Sequence, residues 1–264
     1  MLERLYPDGS LGMRVTRMED ARYQIEAPGH GDFMIAADGS AVSCRRLQGP
    51  PTRWQRPLYG QVLPLAATLQ GLEPLHASAV EFDQHAFAFV AASGTGKTSL
   101  ATHLTALGAR MLADDVVALE ARAGGVIAHP GVPTANIAAE QLALLSSEQR
   151  RRLGAPLARG EKVQISLADR ADGPLALTGL FFLARSGRIR TLKLERLQPP
   201  EPRELLGATF MAHVSEPQRL CRQLSVCARI AEEVPVFRLL APAAVSAPEL
   251  ASTLKDELSR LSEK

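Results

Sequence analysis

The chain has 264 residues, 46% apolar and 22% charged, which is enough to bury a full core without disulfides or metals. Thirty Lys and Arg against 28 Asp and Glu leave a net charge of +2, which argues against a nucleic-acid binder working through bulk charge. The longest apolar run, Ala86 to Ala92, falls far short of the ~20 residues of a spanning helix; no signal-like stretch opens the chain, and Cys44, Cys221 and Cys227 form no CxxC pair, so the expected setting is cytoplasmic, away from membranes.

Residues 1–70 read as a small β-rich lobe. Alternation over Met13–Met18, Arg22–Glu26, Asp32–Ala36 and Ala41–Cys44 predicts antiparallel strands through residue 48, with a hairpin turn at Asp38-Gly39. Gly49-Pro50-Pro51 breaks the chain. Leu58, Val62, Leu65, Ala66 and Leu69 recur at helical spacing, and Pro64 should start or kink that helix. Next come two buried strands, His76–Glu81 and His85–Val90, around a turn at Asp83-Gln84. A glycine loop, 91–96, leads into a helix over Lys97–Leu107, with Gly108 at its C-cap. Met111–Glu120 reads as one strand. Strand, glycine loop, helix and strand in succession indicate an α/β nucleotide fold. Further on, the pattern predicts a helix over Ile137–Leu153 stopped by Gly154. Strands follow at Lys162–Leu167, Leu175–Ala184 and Arg190–Leu194. Helices are expected over Pro202–His213 and Pro217–Glu232, then a strand at Val236–Leu240 and an amphipathic helix over Pro248–Ser262.

Ala91-Ala-Ser-Gly-Thr-Gly-Lys-Thr carries the chemistry. It fits the phosphate-loop pattern Gly-x4-Gly-Lys-Ser/Thr except that Ala91 stands at the first glycine. Gly94 and Gly96 let the backbone turn its N–H groups inward around an anion. The helix beginning at Lys97 points its positive end at the same place. Ser93, Gly94, Thr95, Gly96, Lys97, Thr98 and Ser99 are therefore the expected ATP-binding residues, with Lys97 on the β- and γ-phosphates and Thr98 on Mg²⁺. Asp114 and Asp115 form a second signal: one carboxylate for the metal, one for the proton of an attacking hydroxyl. The alternation Leu112-Ala-Asp114 favours Asp114 as base, leaving Asp115 with Thr98 for the metal. His76, at a strand start, can hydrogen-bond a catalytic carboxylate.

His76, Ser93-Gly-Thr-Gly-Lys-Thr and Leu112-Ala-Asp-Asp, in this order and spacing, resemble the catalytic half of HPr kinase/phosphorylase. Leu75-His-Ala-Ser-Ala-Val is closer to HPr-kinase-related proteins of bacterial biosynthetic clusters, among them the lasso-peptide precursor kinases. The resemblance is specific over residues 75–118 and diffuse to about 240. It implies an α/β phosphate-loop kinase core over 71–264, related to phosphoenolpyruvate carboxykinase. It also implies Mg²⁺ and ATP as cofactors, and a peptide or protein serine as acceptor. Catalytic roles fall on Asp114, Asp115, His76 and Lys97, in a homo-oligomer. The chain departs from that family at Ala91, at Ser99 where a Glu is usual, and in lacking the downstream glycine-rich signature. Its nearest counterpart is Ala128-His-Pro-Gly-Val-Pro-Thr-Ala-Asn-Ile. The alternatives are a small-molecule kinase of the same fold, or an ATP-binding switch without transfer. Arg150-Arg-Arg, Lys162 and His129 are lesser candidates: a trans arginine, a triphosphate contact and a loop histidine. Cys221 and Cys227 read as packing.

Overall fold

The computed structural model describes residues 2–5 and 8–263. It begins with an antiparallel meander: β1 (Leu2–Leu5), β2 (Leu11–Arg17), β3 (Tyr23–Ala27), β4 (Gly31–Ile35) and β5 (Val42–Arg46), paired in chain order. Strands β3 and β4 alternate strictly. Tyr23, Ile25, Ala27, Phe33 and Ile35 point inward, while Gln24, Glu26 and Met34 face out. The inward face packs on α1 (Pro51–Pro57), a π-helical turn at Leu58–Val62, and α2 (Leu63–Leu69). Pro64 is the second residue of α2, directly after the π-helical turn. The same cluster takes in Met211 and Val214 from the far half of the chain.

The larger part is a mixed α/β assembly. Its strands are β6 (Glu73–Leu75), β7 (Ala77–Phe82), β8 (His85–Val90), β9 (Arg110–Ala113), β10 (Val117–Arg122) and β11 (Gly125–His129), with α3 (Lys97–Ala106) after β8. Then come β12 (Thr134–Ala138), α4 (Ala139–Ala143), α5 (Ser147–Leu153), β13 (Gly154–Arg159), β14 (Lys162–Leu167) and β15 (Leu175–Ser186). The chain closes through β16 (Lys193–Leu197), α6 (Pro202–Gly207), α7 (Pro217–Glu233), β17 (Val236–Pro242) and α8 (Ala247–Ser262). Among the described residues, nine strands form the central sheet in the order β6-β10-β11-β15-β8-β7-β9, with β17 and then β16 leaving β15 on a second branch. Strands β8, β15 and β17 are mutually parallel, so their C-terminal ends gather at one edge. In sheets of this kind ligands bind outside those ends. Three further strands, β12, β14 and β13, make a small sheet beside α5.

Period-2 alternation splits the sheet's contacts between two cores. Phe87, Phe89, Phe181, Leu183, Phe237 and Leu239 face α3 and α8; Ala86, Ala88, Val90 and Leu180 face α6 and α7. Helix α7 buries Arg219, Gln223, Val226, Cys227 and Ile230, one stripe at helical spacing. Among the described residues no helix is long and apolar enough to cross a membrane.

Several expected elements are reshaped. The single strand expected over Met111–Glu120 is two, β9 and β10, broken where Asp115 takes φ 69°. Ile137 belongs to strand β12, and the helix expected there is reduced to α4 and α5, the latter opened by a reciprocal cap between Ser146 and Gln149. Strand β16 starts three residues later than Arg190, and α6 ends at Gly207. Cys227 packs in the core, but Cys221 is exposed.

Candidate active site

The site grows from the end of β8. After Val90 the loop turns through Gly94 (φ 81°) and Gly96 (φ 107°), conformations that L side chains rarely adopt. A Cβ on Gly94 would touch nothing within 4 Å, and one on Gly96 would meet only Arg185 Nη1, at 3.5 Å. Helix α3 starts directly at Lys97. It closes with a Schellman motif: Gly108 N–H donates to Thr105 O (3.2 Å) and Ala109 N–H to Leu104 O (3.1 Å), with Gly108 at φ 116°. Its polar inward residues are satisfied locally: Thr102 donates to Thr98 O at 2.7 Å, and His103 Nε2 lies 3.0 Å from Gln141 Oε1.

Lys97 is buried. Its Nζ donates to Ala91 O at 2.7 Å and lies 3.1 Å from His76 Nε2. Burial lowers its proton affinity; the charges of Asp115 and Asp114 oppose that, and Lys162 is near enough for its charge to add to the lowering. The His76 ring stacks on Phe210, 5.9 Å between centroids. Its Nδ1 lies 3.1 Å from Asp115 O and 3.4 Å from Asp115 Oδ1. With the ammonium donating to Nε2, the remaining hydrogen of a neutral ring sits on Nδ1 and faces Asp115.

Adjacent in sequence, the two acids occupy opposite environments. Asp114 directly follows β9 and is buried. Its Oδ1 accepts from Thr98 Oγ1 at 2.7 Å and Ser78 Oγ at 2.9 Å, and its Oδ2 from the Asn136 amide at 3.1 Å. Desolvation pushes this carboxyl above its ordinary value, against the pull of those three donors. The Asp115 side chain is 57% exposed on a left-handed backbone, a strained conformation that asparagine and aspartate tolerate best. So Asp114, not Asp115, stands on the hydroxyl of Thr98. The alternation read along Leu112-Ala-Asp114 does not extend to the acids, because the strand ends at Ala113 and both lie in the bend that follows.

The segment 128–137 closes over this corner. Gly131 N–H donates to Leu112 O at 2.8 Å, and a Cβ there would come within 2.8 Å of Ala113 Cβ. Only glycine lets the loop approach β9 so closely. His129 turns away to Glu120, 2.9 Å distant. Arg152 pairs with Asp169 at 2.7 Å, so that part of the arginine run serves the packing of α5. Arg185, at the end of β15, was not singled out from the sequence. Its Nη2 donates to Val245 O, leaving Nη1 toward Gly96. Its place directly after the apolar run Leu180–Ala184 on a parallel strand was the available signal.

Beside His76 the parallel strand ends frame a cleft of about 380 Å³, lined by Val90, Ala91, Phe182, Glu204, Ala208 and Arg238 among others.

No protein-family model matches the chain, and no curated protein matches it. Among solved structures, the HPr(Ser) kinase/phosphatase from Coxiella burnetii is similar over 73% of this chain and 99% of that chain, at 14% identity and a TM-score of 0.40. That is a distant likeness of fold.

Proposed function

We propose that the protein is an ATP-dependent kinase that transfers the γ-phosphate to a serine-type hydroxyl of a peptide or protein. One observation carries this reading: Thr98, second residue of a helix opened by a glycine loop, donates at 2.7 Å to the buried Asp114, while Lys97 and the exposed Asp115 flank the same point. A hydroxyl beside a desolvated carboxylate suits Mg²⁺, which takes one or two protein oxygens and fills its other positions with water and phosphate.

Bound Mg²⁺–ATP would supply the transferable phosphoryl group and neutralise its charge. The chain's own residues do the rest. Amides of the loop and the first turn of α3 orient phosphate oxygens. Thr98 and Asp114 would hold the metal. Lys97 exchanges Ala91 O and His76 for phosphate oxygens. Asp115 accepts the acceptor's proton at its exposed carboxylate, and His76, facing it through Nδ1, keeps that carboxylate in place. This reverses the roles that the sequence suggested for the two acids. Arg185 Nη1, beside Gly96, adds positive charge at the loop.

Millimolar Mg²⁺–ATP should raise the melting temperature of the wild type, since ligand binding to the folded state alone adds stability. Lys97→Ala should lose phosphoryl transfer and most of that rise while keeping a cooperative transition of its own. Wild-type turnover by folded Lys97→Ala, or no thermal shift in the wild type, would remove the kinase reading.

A further inference from the structure

Four cations follow one another where β15 leaves the sheet: Arg185, Arg188, Arg190 and Lys193, with no acid between them. Segment 185–193 therefore carries +4 while the whole chain carries +2, so the rest of the chain is net negative. Arg188, Arg190 and Lys193 are exposed. Among the described residues none of the four meets a carboxylate in an ion pair, although twelve other arginines do.

The segment is held in a fixed place. Arg188 N–H donates to Ser186 Oγ at 3.1 Å, and the amides of Ile189 and Ala243 both donate to Ser186 O at 3.2 Å. Leu192 and Leu194 pack on the core shared by α3 and α8. Strands β8, β15, β17 and β16 stand side by side in this order. The glycine loop follows β8 and the basic segment follows β15. Strand β16 then opens with Lys193 opposite Leu240, near the end of β17, so loop and segment share one edge of the sheet. Arg185 joins the two, since its Nη1 is the atom that a Cβ on Gly96 would meet. At ~4.8 Å per strand, the segment spans roughly 5–14 Å from the strand that carries the loop. An extended polypeptide at ~3.3 Å per residue crosses that distance in about two to four residues.

We propose that Arg188, Arg190 and Lys193 dock an acidic stretch of the acceptor polypeptide, about two to four residues from the hydroxyl that receives the phosphate. The inference rests on the kinase reading for the word acceptor, but not for the binding itself. Unpaired cations on an ordered turn attract an anionic partner and fix its register. A nucleic acid fits less well. Its phosphate backbone calls for basic surface along its length, and here the excess of positive charge is confined to one short segment of an otherwise net-negative chain.

Direct binding by calorimetry, without nucleotide and at low salt, tests it. One probe is a short serine peptide with glutamates starting about two residues after the serine, and another has them before it. The glutamine and lysine versions of each, and a short single-stranded oligonucleotide, complete the set. In at least one order the wild type should prefer glutamate to glutamine by about tenfold, as three exposed ion pairs worth about two- to threefold each would give. The preference should shrink at about 1 M salt. The triple variant Arg188→Gln, Arg190→Gln, Lys193→Gln should bring the two peptides within about twofold. Charge reversal, Arg188→Glu, Arg190→Glu, Lys193→Glu, should make the lysine peptide the tighter one. All three positions are exposed, so both variants should melt with the wild type and keep its thermal shift with Mg²⁺–ATP. The proposal falls if no peptide binds, if glutamate is preferred in neither order, or if the preference survives in the glutamine variant. Tighter binding of the oligonucleotide than of the acidic peptides would make the segment a nucleic-acid contact instead. A lost Mg²⁺–ATP shift in the glutamine variant would assign these cations to the triphosphate and also overturn the proposal. An absent shift in the wild type removes the kinase reading alone, so the two can fail independently.

Discussion

Asp114 is buried among its three donors, whereas Asp115 faces solvent, and their asparagine variants should part accordingly. In Asp114→Asn one oxygen becomes an NH₂ group, so either the hydroxyls of Thr98 and Ser78 or the Asn136 amide meets a donor instead of an acceptor. That should cost about 1–3 kcal/mol of folding stability and weaken Mg²⁺–ATP binding. Asp115→Asn should leave stability and nucleotide affinity nearly unchanged and slow transfer about 10²–10⁴-fold, the usual worth of a general base. Denaturant titration, nucleotide calorimetry and single-turnover rates separate the two. Transfer at the wild-type rate in both variants would show the acids to be an ordinary turn. The residue types of this site were legible in the chain: a glycine loop, Lys97, Thr98, the acid pair and His76 announce themselves by spacing. Their pairing was not. Which acid meets Thr98 depends on the bend that follows β9 at Ala113, and that bend turns on a left-handed residue, Asp115, that no periodicity encodes. Arg185 and Glu204 were invisible for a related reason. They reach the site through the parallel contacts of β15 and through α6, which join distant stretches of chain.

At the scale of elements, helix α3 is buried on nearly all sides, and this sets a dependence on pH. Burial holds His103 below the ordinary 6.5, and burial lowers His213 in the same sense. As pH falls below 6.5 the unfolded chain takes up these protons before the folded chain does, so stability present above that pH declines. His103→Gln can keep a partner for Gln141 and removes one such group; its melting temperature should fall less steeply with acidification than that of the wild type. An identical slope would mean that His103 is not buried in the neutral form. The junction of α5 and β13 makes a second case. Gly154 reads from sequence as a helix stop, and it is one, at φ 142°. It is also the first residue of a strand, where an added Cβ would lie 1.9 Å from Ser166 O across the pair β13–β14. Gly154→Ala should cost at least about 2 kcal/mol by chemical denaturation, from backbone strain and displacement of β14 together. Strand β12 escaped the sequence reading because Ile137 and the alanines around it also suit a helix, and β13 because Gly154 reads as a helix stop and Pro156 breaks any alternation after it. Their pairing with β14, a tertiary contact, decides.

Across the whole molecule, the expected boundary at residue 70 runs through a shared core. Met211 and Val214 pack into the cluster under the N-terminal sheet, and Tyr23 donates to Glu216 at the start of α7. The buried pair Arg219–Glu73 joins α7 to β6, which follows directly from α2 and leads into His76. Both side chains are nearly inaccessible, and Gln223 adds a further acceptor for Arg219 at 3.1 Å. Desolvation raises the proton affinity of Glu73 even beside that arginine. Arg219→Met would leave the carboxylate buried without its counter-charge and should cost about 3–5 kcal/mol; adding Glu73→Leu removes the stranded charge and should recover most of it. Trp54, the single tryptophan, packs against the N-terminal cluster and reports on that half, while far-ultraviolet circular dichroism reports on the whole chain. Because these contacts tie the first 70 residues to the larger part, the two signals should share one midpoint in the wild type and fall together in Arg219→Met. A tryptophan transition that separates from the dichroism in either protein would make the first 70 residues an independent unit, and the Arg219–Glu73 pair a feature of the larger part alone.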